Sequence, residues 1–279
     1  MNRTLVGIDV GATLAKLAVR GPDGNLECSF WPSTETETLL DRVRALTPEG
    51  VGLTGCGAHR LKPYLSPLPQ TILEFEAWAF GSRELLGRQG VNPDSPYVLV
   101  SVGTGTSMLL VEGDRVRRLG GTALGGGTLL GLGFALTGCR SHSEFCALAA
   151  QGGRGKIDLL IKDIYPPDEI ELPGEATAAS FGGLARRASQ MGKDSLHDEP
   201  APLAAAVTQL VGENVALLTA ALAEKTSAQR IVFGGSSLEG HPYLQGLLAG
   251  ITAALGFEAT LLERGGYAGA IGALGHSVS

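Results

Sequence analysis

The sequence predicts an α/β chain of two lobes, each opening on three consecutive strands. Strand patterns come in an unbroken group of three twice, over residues 4–31 and 97–119, each ahead of helical segments. Three strands run directly into turns built from Gly, Thr and Ser, near the start, in the middle and late in the chain. The 279 residues hold 41 glycines but only 5% aromatics, a balance that favours tight turns and close helix contacts over a β-sandwich.

The first lobe starts with strands at 4–10, 15–20 and 25–31, the last two joined by the turn Gly21-Pro-Asp-Gly24. Leu39, Leu40, Val43 and Leu46 recur at helical spacing behind Glu35 and Glu37, so 34–46 reads as a helix with an acidic first turn. Short strands follow at 51–54 and 70–73, then a helix at 75–87. The second lobe restarts at 97–102 and continues with strands at 107–111 and 115–119. Helical stretches fill 127–187, with a polar, proline-bearing break at 165–174. Residues 192–202 read as a solvated loop, 202–225 as a long helix with Val207, Leu210, Val211, Leu217, Leu218 and Ala221 on its apolar side, and 230–233 as a strand. Two domains are expected, 1–95 and 96–279, the second carrying the helical insertions.

Composition excludes several classes of function. Net charge is −6 and the basic residues are scattered, which argues against a nucleic-acid surface. Uninterrupted apolar runs such as 146–150 and 203–207 fall far short of the roughly 20 residues of a membrane helix. The amino terminus enters a strand without an apolar leader segment, so a cytoplasmic location is expected. Cys28, Cys56, Cys139 and Cys146 are dispersed, with no Cys-x-x-Cys pair, and read as buried free thiols without zinc.

The chemistry concentrates in Val6-Gly-Ile-Asp-Val-Gly-Ala-Thr-Leu-Ala-Lys16. A buried strand delivers Asp9 at its end, Gly11 and Ala12 let backbone N–H groups approach an anion, Thr13 adds a hydroxyl and Lys16 a point charge. An Asp-x-Gly hairpin also occurs as an ordinary tight turn, and recurrence decides against that reading here. Val102-Gly-Thr-Gly-Thr-Ser107 and Phe233-Gly-Gly-Ser-Ser237 repeat the strand-then-turn pattern. Other nucleotide motifs do not fit: Gly131-Leu-Gly133 lacks the third glycine of a dinucleotide fingerprint, and Gly155-Lys156 is followed by Ile157 instead of Ser or Thr.

Two phosphate turns followed by a late adenosine turn resemble the actin, Hsp70 and sugar-kinase superfamily. That resemblance implies an α/β fold of two ribonuclease-H-like lobes with ATP in the cleft between them. A narrower resemblance, to type II pantothenate kinases and the related animal enzymes, rests on Arg118-Leu-Gly-Gly-Thr-Ala-Leu-Gly-Gly-Gly-Thr128, Gly131-Leu-Gly-Phe-Ala-Leu-Thr-Gly138 and Ile157-Asp-Leu-Leu-Ile-Lys-Asp-Ile-Tyr165. It continues through Thr177-Ala-Ala-Ser-Phe-Gly182 and Gly265-Gly-Tyr-Ala-Gly-Ala-Ile-Gly-Ala273, covering almost the whole chain.

The family resemblance implies ATP-dependent phosphorylation of pantothenate to 4′-phosphopantothenate, with Mg²⁺. Glu74, within Leu73-Glu-Phe-Glu-Ala77, takes the place of the base that deprotonates the acceptor hydroxyl, with Glu76 in a supporting place. Arg118 takes the place of the arginine that grips the pantothenate carboxylate, and Thr104 and Thr106 meet phosphate and pantothenate. Nucleotide contacts are expected from Asp9, Val10, Gly11, Ala12, Thr13, Leu14, Ala15 and Lys16, from Thr104, and from the N–H groups of a helix start at Gly126, Gly127, Thr128, Leu129 and Leu130. His142 and Ser236 complete that set, and Asp9 is the expected Mg²⁺ ligand. Ala12 departs from the family's usual second glycine, acceptable where its φ stays negative. A homodimer is implied as well, with coenzyme A or an acyl-CoA as a further ligand of the active site. A sugar or N-acetylhexosamine kinase of the same fold and a catalytically silent nucleotide or acyl-CoA sensor are the alternatives. The sugar kinase is disfavoured by the pair Glu74 and Arg118, and the silent sensor by the presence of Glu74.

Overall fold

The computed structural model describes residues 3–167, 169–191 and 199–277. The first sheet is built from β1 (Leu5–Val10), β2 (Leu14–Arg20) and β3 (Leu26–Pro32), paired antiparallel in sequence. After helix α1 (Thr36–Leu46), strand β4 (Gly50–Thr54) adds parallel to β1. A short helix α2 (Ala58–Leu61) precedes β5 (Gln70–Thr71), which pairs parallel to β4, and α3 (Glu74–Arg88) closes the lobe.

The second sheet repeats the plan. Strands β6 (Tyr97–Val102), β7 (Thr106–Glu112) and β8 (Arg115–Thr122) are antiparallel. Helices α4 (Gly126–Thr137) and α5 (His142–Gln151), the two short strands β9 (Leu159–Leu160) and β10 (Thr177–Ala179), α6 (Gly182–Met191) and α7 (Pro200–Ala223) then intervene. Strand β11 (Arg230–Gly234) joins parallel to β6 and, after α8 (Pro242–Ala254), β12 (Glu258–Leu261) joins parallel to β11. The orders β3-β2-β1-β4-β5 and β8-β7-β6-β11-β12 are the same plan drawn twice.

The helices α1, α3 and α7 and the strands β1, β2, β3, β6 and β7 agree with the sequence reading to within about two residues at each end, while β8 runs on to Thr122, three residues past its expected end. The strand expected at 70–73 stops at Thr71, because Leu73 is extended (φ −64°, ψ 140°) and serves as the N-cap of α3. Of the loop expected at 192–202, residues 192–198 lie outside the described residues, while Pro200 opens α7, where a proline's missing N–H costs nothing.

Helix α9 (Ala268–Gly275) ends the described chain and returns to the first lobe. It wedges between the first sheet and α3, with glycines where backbone meets backbone. A side chain on Gly272 would strike the Ala77 carbonyl of α3, and one on Gly52 of β4 would strike the Ala273 carbonyl. One core, with Leu39, Leu40 and Leu53, fills the first lobe between sheet and α1. A second, around Phe145, Val207, Val211 and Phe233, fills the far side of the other sheet. A third, including Ala18, Leu86, Tyr97, Leu99, Val232 and Ile271, lies between the lobes. It sets the β1–β2 and β6–β7 turns face to face. Helix α7 is, among the described residues, the one with the length and apolarity of a membrane span, yet most of that surface is packed against α4, α5 and α8.

Candidate active site

Two adjoining cavities, of about 520 and 550 Å³, occupy the cleft where these turns meet. They share Thr13, Leu14, Lys16, Gly103, Thr104 and Ser236, so they form one groove with two ends. One end holds Asp9, Glu74, Thr106 and Arg118. The other holds Gly126, Gly127, Leu130, His142 and Tyr267.

The β1–β2 hairpin places the charged pair. Asp9 lies directly opposite Lys16 in the antiparallel register, both are almost wholly buried, and Lys16 Nζ stands 3.7 Å from Asp9 Oδ2. Burial raises the Asp9 carboxyl above its ordinary value, with the Lys16 ammonium opposing. Gly11, Ala12 and Thr13 form the exposed tip, closed by the Gly11 N–H donating to the Leu14 carbonyl at 3.0 Å. Ser33 clamps the tip from β3: its hydroxyl donates to the Ala12 carbonyl at 2.8 Å and its N–H to the Thr13 carbonyl at 2.9 Å. Ala12 is not among the residues with positive φ, so its methyl is carried without strain.

Glu74 is the first residue of α3 and half-buried at the cavity wall. Burial raises its carboxyl most, the Asp9 charge raises it further, and Lys16 pulls it down. Glu76 lines neither cavity. Arg118 reaches the groove from β8, where alternation puts it on the face of Val116, which packs into the inter-lobe core, while Arg115 and Arg117 fall on the other face. A bulge follows at once, since Leu109 faces Arg118 but Met108 faces Gly120. The guanidinium lies over Gly121, where a Cβ would come within 2.8 Å of its Nη2.

The second turn answers the first with hydroxyls. Thr13 Oγ1 and Thr104 Oγ1 are 3.0 Å apart, a direct bond between the two lobes. Thr106 is buried and donates to the Leu124 carbonyl at 2.7 Å, which leaves its oxygen to serve a ligand as an acceptor. Ser237 donates to the Gly103 carbonyl at 3.0 Å, behind Ser236.

Several expected contacts are arranged differently. The N–H groups of Gly126 and Gly127 donate to the carbonyls of Gly103 and Thr104, each at 2.8 Å, and that of Leu129 to Gly125. The start of α4 is thus knitted to the second turn instead of holding those donors open to a ligand. Thr128 bonds the Ala123 carbonyl through its hydroxyl at 3.2 Å. Val10, Ala15 and Leu129 turn their side chains into the cores, which leaves only their backbone near the groove. His142 does line the groove and packs edge-on against the fully buried His241, whose pKa burial lowers to about 4. Of the four thiols expected to be buried, only Cys139 and Cys146 are. Cys28 is half-buried, and Cys56 is exposed in the groove because Gly55, at φ 93°, turns the chain out beyond β4. Sequence reasoning also missed Ser101, Ser107 and Trp78 as wall residues. Trp78 was within reach of it, since it stands one helical turn after Glu74 and shares that residue's face.

The family described as Fumble matches residues 64–276. A type II pantothenate kinase of Staphylococcus haemolyticus is 33% identical over 270 residues, covering 96% of this chain and 98% of its own. The activator of the 2-hydroxyisocaproyl-CoA dehydratase from Clostridium difficile, solved with bound ADPNP, superposes with a TM-score of 0.67 at 13% identity over 98% of this chain and 94% of its own. A ROK-family glucokinase from Streptomyces griseus, in complex with glucose and AMPPNP, gives 0.58 at 16% identity over 98% and 99%. The structural likenesses establish the two-lobed actin-like ATPase fold. With a relative this similar along nearly its whole length, the chain belongs to the type II pantothenate kinase family.

Proposed function

We propose that this enzyme transfers the γ-phosphoryl group of ATP to the primary hydroxyl of pantothenate, giving 4′-phosphopantothenate, the entry step of coenzyme A synthesis. The observation that carries the reading is the convergence of Glu74, the Asp9–Lys16 pair and Arg118 on one cavity. Phosphoryl transfer needs in-line placement, neutralisation of phosphate charge and a base for the hydroxyl proton. Glu74 takes that proton, its raised pKa making it a better acceptor than an exposed carboxylate. Arg118 holds the pantothenate carboxylate through two parallel N–H bonds, which fixes the far end of the acceptor while its hydroxyl meets Glu74.

Gly11, Ala12, Thr13 and Thr104 would receive the phosphates of a nucleotide in the groove, and Ser236 and His142 its base. Asp9 fits a Mg²⁺ ion bound through ATP. It is a buried carboxylate at a strand end, and among the described residues no cluster of three or more His, Cys, Asp or Glu offers an all-protein cage. Asp9 would hold the Mg²⁺, which commonly takes only one or two protein carboxylates, and the ion would neutralise the charge of the phosphates there. Lys16 adds a fixed positive charge beside them.

The proposal includes division at 1–95 and 96–279 with α9 returning to the first lobe, a homodimer, coenzyme A or an acyl-CoA as a competing ligand in the acceptor cavity, and a cytoplasmic location. The test is phosphopantothenate formation by mass from Mg²⁺-ATP and pantothenate, with Glu74→Gln and an N-acetylglucosamine control. Removing the base lowers kcat by roughly 10²- to 10⁴-fold. Turnover of the amino sugar alone returns the sugar-kinase reading, and nucleotide binding without any product returns the sensor.

A further inference from the structure

Trp78 sits on α3 one turn after Glu74, and its ring lines the acceptor end of the groove. Its indole N–H is buried and has no hydrogen-bond partner. An unpaired buried donor is costly and rare, and such a group calls for a partner that arrives in the working state. One acceptor borders the same spot without bonding it. A Cβ placed on Gly269 of α9 would lie 2.8 Å from Trp78 Nε1 and 2.5 Å from Asp9 Oδ2, so both atoms converge on one spot above the α9 backbone. The same carboxylate oxygen is only loosely held by Lys16, at 3.7 Å. Glycine at 269 keeps this spot free of a side chain that would wedge the two apart.

We propose that Trp78 is a positioning residue for Asp9: its N–H closes on Asp9 Oδ2 and orients the carboxylate for the metal of the bound nucleotide. The inference rests on the assignment of Asp9 to Mg²⁺ made above. Carboxylates that ligate metals are themselves held by hydrogen bonds, and loss of such a partner typically weakens metal binding or activity by about 10- to 100-fold. A bare cavity wall has no such effect. It changes acceptor affinity and leaves the metal alone.

Trp78→Phe removes the N–H and keeps a ring. The Mg²⁺ concentration for half-maximal phosphorylation rises by at least about tenfold while the KM for pantothenate stays within about twofold. An unchanged Mg²⁺ requirement, or a shift confined to the pantothenate KM, overturns the proposal. A second readout uses the intact Trp78. In a Trp31→Phe background, which leaves Trp78 as the single tryptophan, Mg²⁺ added to the ADP-bound protein changes the indole emission, and Asp9→Asn abolishes the change. Emission blind to Mg²⁺ overturns the proposal. The Asp9→Asn rate assay separates the two layers. If that variant keeps the parent's Mg²⁺ requirement, the assignment of Asp9 fails; if it shifts and Trp78→Phe does not, the role of Trp78 alone fails.

Discussion

The hairpins that face each other across the cleft share a backbone plan and carry opposite chemistry. In β1–β2, Asp9 pairs with Lys16 one step before the closing pair Val10 and Ala15. At the matching step of β6–β7, Ser101 pairs with Ser107 before Val102 and Thr106. All four polar residues line the groove, and the charged pair is almost wholly buried. Burying an ion pair is a poor source of stability, because desolvation offsets most of the Coulombic attraction. At 3.7 Å the pair is not even closely joined. On the proposed reading the charge serves a ligand, and the duplicated frame supplies two turns toward phosphate of which only the first carries ions.

The largest expected effect separates those hairpins directly. Asp9→Asn lowers kcat by at least about 100-fold, since it removes the carboxylate proposed to face the metal and leaves Lys16 buried without its counter-ion. Ser101→Ala, at the matching register, lowers kcat by less than about tenfold, the range of a single neutral hydrogen bond. Equal losses in steady-state assays would break the comparison and make the lobes chemically equivalent. Next in size is Arg118→Lys, which keeps the charge and loses the bidentate fork. It lowers kcat/KM for pantothenate by about 10- to 100-fold, carried mainly by KM. A fall confined to kcat would place Arg118 on the transferring phosphate instead.

The same contrast explains what could be read from the sequence. Strand groups and the Asp9 and Thr104 turns follow from local pattern, because alternation and small-residue turns are written in neighbouring positions. Helix α9 was legible only as part of a family string. All of its residues from Ala268 to Leu274 are buried, so it has no polar face to set a helical period. The strands β9 and β10 are too short to show alternation. At the site, Asp9 was legible in its own hairpin and Glu74 and Arg118 through the family resemblance, and all three line one cavity, whereas the bonding of the α4 N–H groups to Gly103 and Thr104 is a long-range fact that no local window holds. In a sequence, a tryptophan on a helix such as Trp78 is indistinguishable from core. Only the unpaired N–H marks it as more.

A smaller effect tests the electrostatics of the first lobe without substrate. The Glu74 carboxyl is held above its ordinary 4.5 by burial and by the Asp9 charge. Between that unfolded value and the raised folded one, the folded chain holds the extra proton, so stability falls as pH rises through the window. Ligand-free Glu74→Gln, which has no ionisation to suppress, therefore melts above the parent at pH 7. The difference closes as pH falls below the folded value toward 4.5. Melting curves that run parallel from pH 4 to 7 would mean that Glu74 is not under this strain.

The smallest effect belongs to Ala12, and it bears on how closely the first turn must approach phosphate. If the turn needed a left-handed residue or a bare backbone at that position, Ala12→Gly would tighten ATP binding. The structure argues against both needs. Ala12 has no positive φ, its side chain is exposed, and its carbonyl is already tied down by Ser33. The hairpin is therefore held by the clamp and not by glycine's freedom. Ala12→Gly leaves the KM for ATP within about twofold, and it lowers stability by about 0.4–1 kcal/mol by widening the unfolded ensemble. Ser33→Ala, by contrast, raises the KM for ATP more than Ala12→Gly does, because it frees the Ala12–Thr13 backbone that the proposed reading turns toward phosphate. A reversed order of these two variants would shift the control of phosphate approach from the β3 clamp to the residue at the tip.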